Sequence, residues 1–189
     1  MRSSQTLNVE MGNNMSEALD GLDNQKLAEY MTAHVEGFQG PLSSKKFTGG
    51  QSNPTYLIEA ASGNYVLRRQ PPGKLLKSAN AVDREYRVYE ALAGSEVPVP
   101  KVVHLCEDTS VLGSMFYVME HCEGRIFWGA SLPELASNEE RTKAYDNMNK
   151  ALVAIHSVDV EAVGLADYGK PGNYFERQLG RWTKQYRAS

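Results

Sequence analysis

The chain has 189 residues, 41% of them hydrophobic and 23% charged, with a net charge of −3. That is enough for one domain, or one small domain and part of another, and its acidic balance gives no general attraction to nucleic acid or acidic lipid, so any cationic site must be local. Two cysteines, Cys106 and Cys122, are too few for a disulfide framework and are not spaced as a CxxC pair; with no secretory signal in MRSSQTLNVEMGNN and no run of about 18 apolar residues, the expectation is a cytoplasmic protein that does not cross a membrane.

Residues 1 to 19 are polar and have little to bury, which predicts a disordered or loosely attached start. From Asp23 the pattern becomes helical. Leu27, Tyr30, Met31 and His34 recur at i, i+3, i+4 and i+7, Asp23 can cap the start and Gly37 can stop the helix. A first strand is predicted over Ser43 to Phe47. Next comes a turn of small or polar residues, Thr48, Gly49, Gly50, Gln51, Ser52 and Asn53, followed by two β-prone runs, Tyr56 to Ile58 and Tyr65 to Leu67, joined through Ser62-Gly63-Asn64. The second run ends on Arg68 and Arg69.

Gln70-Pro71-Pro72-Gly73 makes a stiff break. A helix follows from Ser78 to Ala93, with Val82, Tyr86 and Tyr89 on one face and Asp83, Arg84, Glu85 and Arg87 beside it. Val97-Pro98-Val99-Pro100 forces an extended stretch into a strand from Lys101 to Cys106, and Glu107-Asp108-Thr109 with Gly113 makes a turn into another from Met115 to Glu120. These connections predict an α+β fold: an antiparallel sheet of about five strands with a helix crossing one face.

From about Leu132 the chain reads as helical. Tyr145, Met148, Leu152 and Ile155 form one stripe, and Asn173-x-x-Glu176 resembles a capping box at the start of a helix bearing Phe175, Leu179, Trp182 and Tyr186. So large an apolar stripe needs cover. Either further chain packs on it, or it makes a homodimer through residues 173–187.

The turn from Thr48 to Asn53 exposes backbone N–H groups suited to an anion, and its glycines can adopt φ > 0. Arg68 and Arg69 could return toward it. A glycine turn between the first two strands, a cation on the third and an acid on the next helix is the layout of a protein-kinase-like small lobe: the donors cover outer phosphates, and the cation on the α/β oxygens is held by the carboxylate. Here the candidates are Gly49, Gly50, Gln51, Ser52 and Asn53 for the cradle, Arg68 for the cation and Glu85 for its partner. Alternation points Arg69 to the other face, where a solvent-facing strand charge is expected. Neither GxxxxGK[ST] nor a strand-GxGxxG-helix occurs. The histidines lack metal-ligand spacing, and His156 falls in a helical pattern that favours a structural role.

FTGGQSNPTYLI, YVLRRQPPG, AVDREYRVYEAL, VPVPKVVHL, FYVMEHCEG and ALVAIHSVD, in that order, resemble the aminoglycoside phosphotransferase family, the choline and aminoglycoside kinase-like enzymes. The likeness is greatest to the branch also found at the N-terminus of some acyl-CoA dehydrogenase-like proteins. The resemblance implies a kinase-like N-lobe over residues 20–121, then a linker and the beginning of a helical C-lobe over 122–189. It implies that Arg68 stands where most members carry the phosphate-contacting lysine, with Glu85 as its helix partner. Glu120, His121 and Cys122 match the linker that reads adenine through its main chain, and Met119 lies at the back of the base pocket or is ordinary core.

The resemblance further implies ATP and Mg²⁺ as cofactors and a small-molecule hydroxyl as acceptor. The family's chemistry uses an Asp in an HGD-type loop and a second Asp on the metal. Asp146, Asp159 and Asp167, the aspartates after the linker, match neither, so the catalytic loop and metal ligands are expected beyond Ser189. The chain then reads as the ATP-binding portion of a phosphotransferase, not itself competent for transfer. The alternative is a non-catalytic nucleotide-binding or regulatory module that uses its last helix for interaction. A nucleic-acid surface built on Arg68, Arg69, Lys74, Lys77, Arg84 and Arg87 is disfavoured because Asp83 and Glu85 interrupt it.

Overall fold

The computed structural model describes residues 21–48, 52–71, 73, 80–170 and 172–188. The loose start expected over 1 to 19 lies outside the described residues, as do Gly49, Gly50 and Gln51, Lys74 and Lys77, and the first part of the helix expected from Ser78.

Helix α1, Asn24–His34, begins where Asp23 accepts a hydrogen bond from the backbone N–H of Lys26 at 3.0 Å, and its Leu27 and Met31, one turn apart, are fully buried. The side chain satisfies one of the donors that a helix start leaves open. Strands β1 (Leu42–Lys46), β2 (Thr55–Ala60) and β3 (Gly63–Arg69) follow, then helix α2 (Val82–Leu92), strand β4 (Val102–Cys106), a single turn of helix α3 (Thr109–Leu112) and strand β5 (Phe116–Glu120). The strands make one antiparallel sheet in the order β1-β2-β3-β5-β4. This is the five-stranded α+β architecture the sequence predicts.

Register decides which side chains share a face. Tyr56 pairs with Leu67, and Arg69 with Phe116, so that Tyr56, Ile58, Leu67, Phe116 and Val118 fall on one face, buried with Leu27, Met31, Val35, Phe38, Cys106 and Val111 from α1, α3 and their flanks. Each such side chain contributes about 1.5–3 kcal/mol of transfer free energy. The other face carries α2, whose Tyr86 and Tyr89 rings lie 6.1 and 6.3 Å from Tyr117 of β5. The sheet is therefore covered on both faces, by α1 and α3 on one and by α2 on the other.

Two local readings change. The segment between β4 and β5 is not a plain turn: Asp108 caps α3 by accepting from Ser110 N at 2.8 Å, and Gly113 ends it at φ +82°, a left-handed conformation that a Cβ would strain. Asp-Thr-Ser spaced this closely can cap one turn of helix as readily as it can make a turn. Arg69, expected to face solvent, is 5% exposed; alternation does send it opposite Arg68, but that face is the covered one. Its guanidinium donates to the Leu112 carbonyl at 3.3 Å and lies 5.7 Å from the Tyr56 ring.

Beyond the sheet, α4 (Asn138–His156) starts at Ser137, whose hydroxyl accepts from Glu140 N at 3.2 Å while Glu140 accepts from Ala136 N at 2.9 Å. Helix α5 spans Tyr174–Ala188. Both expected apolar stripes exist and both are open: Tyr145, Met148, Leu152 and Ile155 on α4, and Phe175, Leu179, Trp182 and Tyr186 on α5, are all exposed. His156 is exposed in the last turn of α4. No helix among the described residues is long and apolar enough to cross a membrane.

Candidate functional site

Antiparallel pairing places Thr55 opposite Arg68 on β2 and β3, and Arg68 opposite Tyr117 on β3 and β5. Directly paired residues point to the same side of a sheet, so these three side chains form one row. Glu85, from the first turn of α2, lies over that row. Its Oε2 accepts from Arg68 Nε at 2.6 Å and from the Tyr117 hydroxyl at 3.2 Å, and its Oε1 accepts from Arg68 Nη2 at 3.4 Å and from Asn53 Nδ2 at 3.0 Å. Chain segments far apart in sequence meet on one carboxylate.

The guanidinium is oriented from two sides. Glu85 holds the edge formed by Nε and Nη2, and Nη1 donates to the Thr55 hydroxyl at 3.0 Å, which in turn donates to the Asn53 carbonyl at 3.1 Å. Among the described residues three of the five donors of Arg68 are used in this way, and one on each terminal nitrogen has no partner. A lysine could make the ion pair but could not hold this fork while offering paired donors elsewhere. Arg68 and Glu85 keep about a third of their side-chain surface, 30% and 33%, so the pair is accessible as well as ordered.

Electrostatics follow from this crowding. Burial alone would lower the pKa of Arg68, but the hydrogen bond and charge of Glu85 outweigh it and the net shift is upward. The Tyr117 phenol is pushed well up, first by burial and then by the Glu85 carboxylate, so it remains a donor. Asn53 is 4% exposed, and its Oδ1 is buried with no hydrogen-bond partner among the described residues. Because a carboxylate only accepts, the Nδ2 bond to Glu85 sets the amide orientation and leaves Oδ1 as an acceptor suited to an N–H or to a metal-bound water, not to a phosphate oxygen.

Of the predicted residues, Asn53, Arg68 and Glu85 are brought together, Asn53 through the bond of its side chain to Glu85. Ser52 is exposed beside them; Gly49, Gly50 and Gln51 lie outside the described residues. Met119 is partly buried on the same face as Arg68, one row along, where it pairs with Val66, itself paired with Leu57. Glu120 has a structural side chain, Oε1 accepting from Lys101 N at 2.9 Å while its own N–H donates to the Lys101 carbonyl at 2.9 Å. Cys122 is exposed just beyond the end of β5.

Sequence reasoning missed Thr55, Tyr117, Leu57 and Val66. Thr55 and Tyr117 look like ordinary β-prone residues until the register aligns them with Arg68. Among the described residues no three His, Cys, Asp or Glu side chains converge in a way that could hold a metal ion. Two clefts of about 960 and 840 Å³ lie elsewhere, along α4, and among the described residues neither is lined by a predicted site residue. What the row under Glu85 can do is hold an oxyanion: it presents a fixed planar cation whose counter-carboxylate is already fully engaged.

A five-stranded antiparallel sheet with a crossing helix, whose carboxylate grips an arginine of the third strand, defines the small lobe of a kinase-like phosphotransferase. The chain belongs to the phosphotransferase enzyme family, whose model matches residues 43–189. It is 51% identical over 175 residues to the protein named probable acyl-CoA dehydrogenase IBR3 of Arabidopsis thaliana, covering 88% of this chain and 21% of the relative. It is 50% identical over 150 residues to acyl-CoA dehydrogenase family member 10 of Mus musculus, covering 79% of this chain and 14% of that one. A crystal structure from Ralstonia eutropha, of a protein assigned as an aminoglycoside phosphotransferase, is 51% identical with a TM-score of 0.74, covering 89% of this chain and 48% of its own. The chain thus spans about half of that solved relative and about a fifth or less of these two curated ones.

Proposed function

We propose that the chain is the ATP-binding portion of a phosphotransferase that moves the γ-phosphoryl group to a hydroxyl of a small molecule. The observation that carries this reading is the Arg68–Glu85 fork, aligned by Thr55 and Tyr117, with donors of Arg68 left over for phosphate oxygens. Phosphoryl transfer is mostly positioning and charge stabilisation, and a guanidinium fixed before the ligand arrives loses no freedom on binding it. Arg68 would hold the α/β phosphates. Leu57, Val66 and Met119, one row further along the same face, would pack against the base, and the main chain of Glu120 to Cys122 would read its edge. Gly49, Gly50, Gln51 and Ser52 would close over the outer phosphates.

ATP supplies the phosphoryl group, and Mg²⁺ its charge neutralisation. The described residues fit the phosphate end of the nucleotide but offer no metal cluster. Transfer itself is proposed to need an HGD-type Asp and a metal-binding Asp that Asp146, Asp159 and Asp167 do not supply. The reading is tested by a thermal-shift titration of the chain with ATP and Mg²⁺: a saturable rise in Tm that Arg68→Ala and Glu85→Ala diminish supports it. No shift for the unmodified chain refutes it.

The exposed stripe of α5, with Phe175 at 86%, Leu179 at 70%, Trp182 at 66% and Tyr186 at 85%, favours a second reading for that helix, self-association through residues 173–187 in a nucleotide-binding module. A mass measurement in solution decides it. A dimer that Trp182→Glu converts to monomer supports the reading, and a monomer at tens of micromolar rejects it.

A further inference from the structure

Helix α2 is gripped on two sides. At about 100° per residue, Val82, Glu85, Tyr86 and Tyr89 share the side that faces the sheet, while Arg84 and Arg87 lie about 60° apart on the opposite side. Those two arginines reach a turn that follows α4. Arg87 forks the Asp167 carboxylate through both terminal nitrogens and donates from Nη2 to the Gly164 carbonyl at 2.9 Å. Arg84 donates to the Tyr168 carbonyl at 2.9 Å, its guanidinium lies 4.1 Å from the centre of the Tyr168 ring, and the Tyr168 hydroxyl donates back to the Arg84 carbonyl at 3.5 Å.

The turn is itself well organised. Asp159 Oδ1 accepts from the N–H groups of Glu161 and Ala162, both at 3.0 Å, Leu165 N donates to Val160 O at 2.8 Å, and Gly164 takes φ +74°. On its other side α2 meets the sheet through the partly buried Glu85, Tyr86 and Tyr89. Among the described residues Val82 is the one on this helix that is fully buried, and none caps its start at Ala81 with a side chain. Glu85, Tyr86 and Tyr89 are partly buried, so their contacts depend on the rotation of the helix, and turning or lifting it would draw Glu85 away from Arg68.

We propose that Arg84 and Arg87 are positioning residues: by clasping the turn at 164–168 they hold α2 at the rotation that keeps Glu85 on Arg68, and so couple the segment after α4 to the phosphate end of the site. This rests on reading Arg68 and Glu85 as that phosphate end. Neither arginine touches the ligand. Their effect passes through the helix, whose rotation both ends bias.

The test uses Arg87→Gln, Asp167→Asn and the reversed pair Arg87→Asp with Asp167→Arg in the full chain, all on exposed side chains. The first readout needs no nucleotide: the NMR signal and solvent exchange of the Arg68 Nε–H, which Glu85 protects in the intact helix position. Each single variant is expected to speed that exchange while leaving the β3 and β5 amides unchanged, and the reversed pair to restore protection. The second readout is the Kd for ATP with Mg²⁺, expected to weaken about fivefold or more in the single variants and to recover in the reversed pair. Unchanged Arg68 Nε–H exchange in both single variants overturns the proposal whatever happens to ATP. Loss that the reversed pair does not recover also overturns it. An unmodified chain that binds no ATP refutes the nucleotide reading, while the exchange measurement still decides whether Arg84 and Arg87 position Glu85.

Discussion

Asn53 donates its side-chain amide to the Glu85 carboxylate at 3.0 Å while its own Oδ1, buried beside it, has no hydrogen-bond partner among the described residues. The end of the glycine turn is therefore tied to the same acid that orients Arg68. A residue that reads as turn composition in the sequence becomes the link between the turn and helix α2.

That link predicts an ordering of variants. Asn53→Asp replaces a donor with a second carboxylate against Glu85, so it should destabilise the fold by about 1–3 kcal/mol and by more than Asn53→Ala, which removes the amide without adding charge. Urea midpoints of the two variants check this. Equal losses would mean that the added charge costs nothing and that both variants lose only the amide donor to Glu85.

Arg68→Lys keeps the charge and loses the fork. The lysine can pair with Glu85 or reach Thr55, but it does not present two donors in one plane. We expect little change in Tm and roughly tenfold weaker ATP binding, the scale of one lost hydrogen bond to a charged group. Calorimetric titration with ATP and Mg²⁺ measures it; wild-type affinity in Arg68→Lys would mean that charge alone suffices there.

Arg69 should behave in the opposite way. It is buried on the far face against Leu112 and Tyr56, so Arg69→Ala is expected to lower stability by about 1–3 kcal/mol through the Leu112 carbonyl and the packing it abandons. Nucleotide affinity, corrected for the folded fraction, should not move. Adjacent arginines thus separate site from scaffold in a single pair of titrations.

A pH dependence follows from the sheet edge. His104 on β4 lies 2.9 Å from the Tyr30 hydroxyl, with the His34 ring 5.6 Å away, and burial first, then the His34 charge, lowers its pKa below the ordinary 6.5. The fold thus favours neutral His104. Its contribution to stability is fully present above about pH 6.5 and is lost as pH falls through the depressed folded value. The urea midpoint should drop between pH 7 and pH 5, and His104→Gln should flatten that drop.

The sequence alone determined a good deal. Apolar spacing and turn chemistry place the elements in order, because local propensity and a two- or three-residue period need no partner to be visible, and the family motif gives Arg68 and Glu85 their pairing. It also says that Arg68 and Arg69 face opposite ways, since alternation is a property of one strand. Tertiary structure alone decided the rest. The burial of Arg69 depends on α1 and α3 arriving on its face, and Thr55 and Tyr117 join the site through strand register, set by pairings between distant segments. The roles of Asn53, Arg84 and Arg87 depend on what packs against α2. Where a residue's role is fixed by its own segment, sequence carries it; where it is fixed by what another segment places opposite, only the folded chain does.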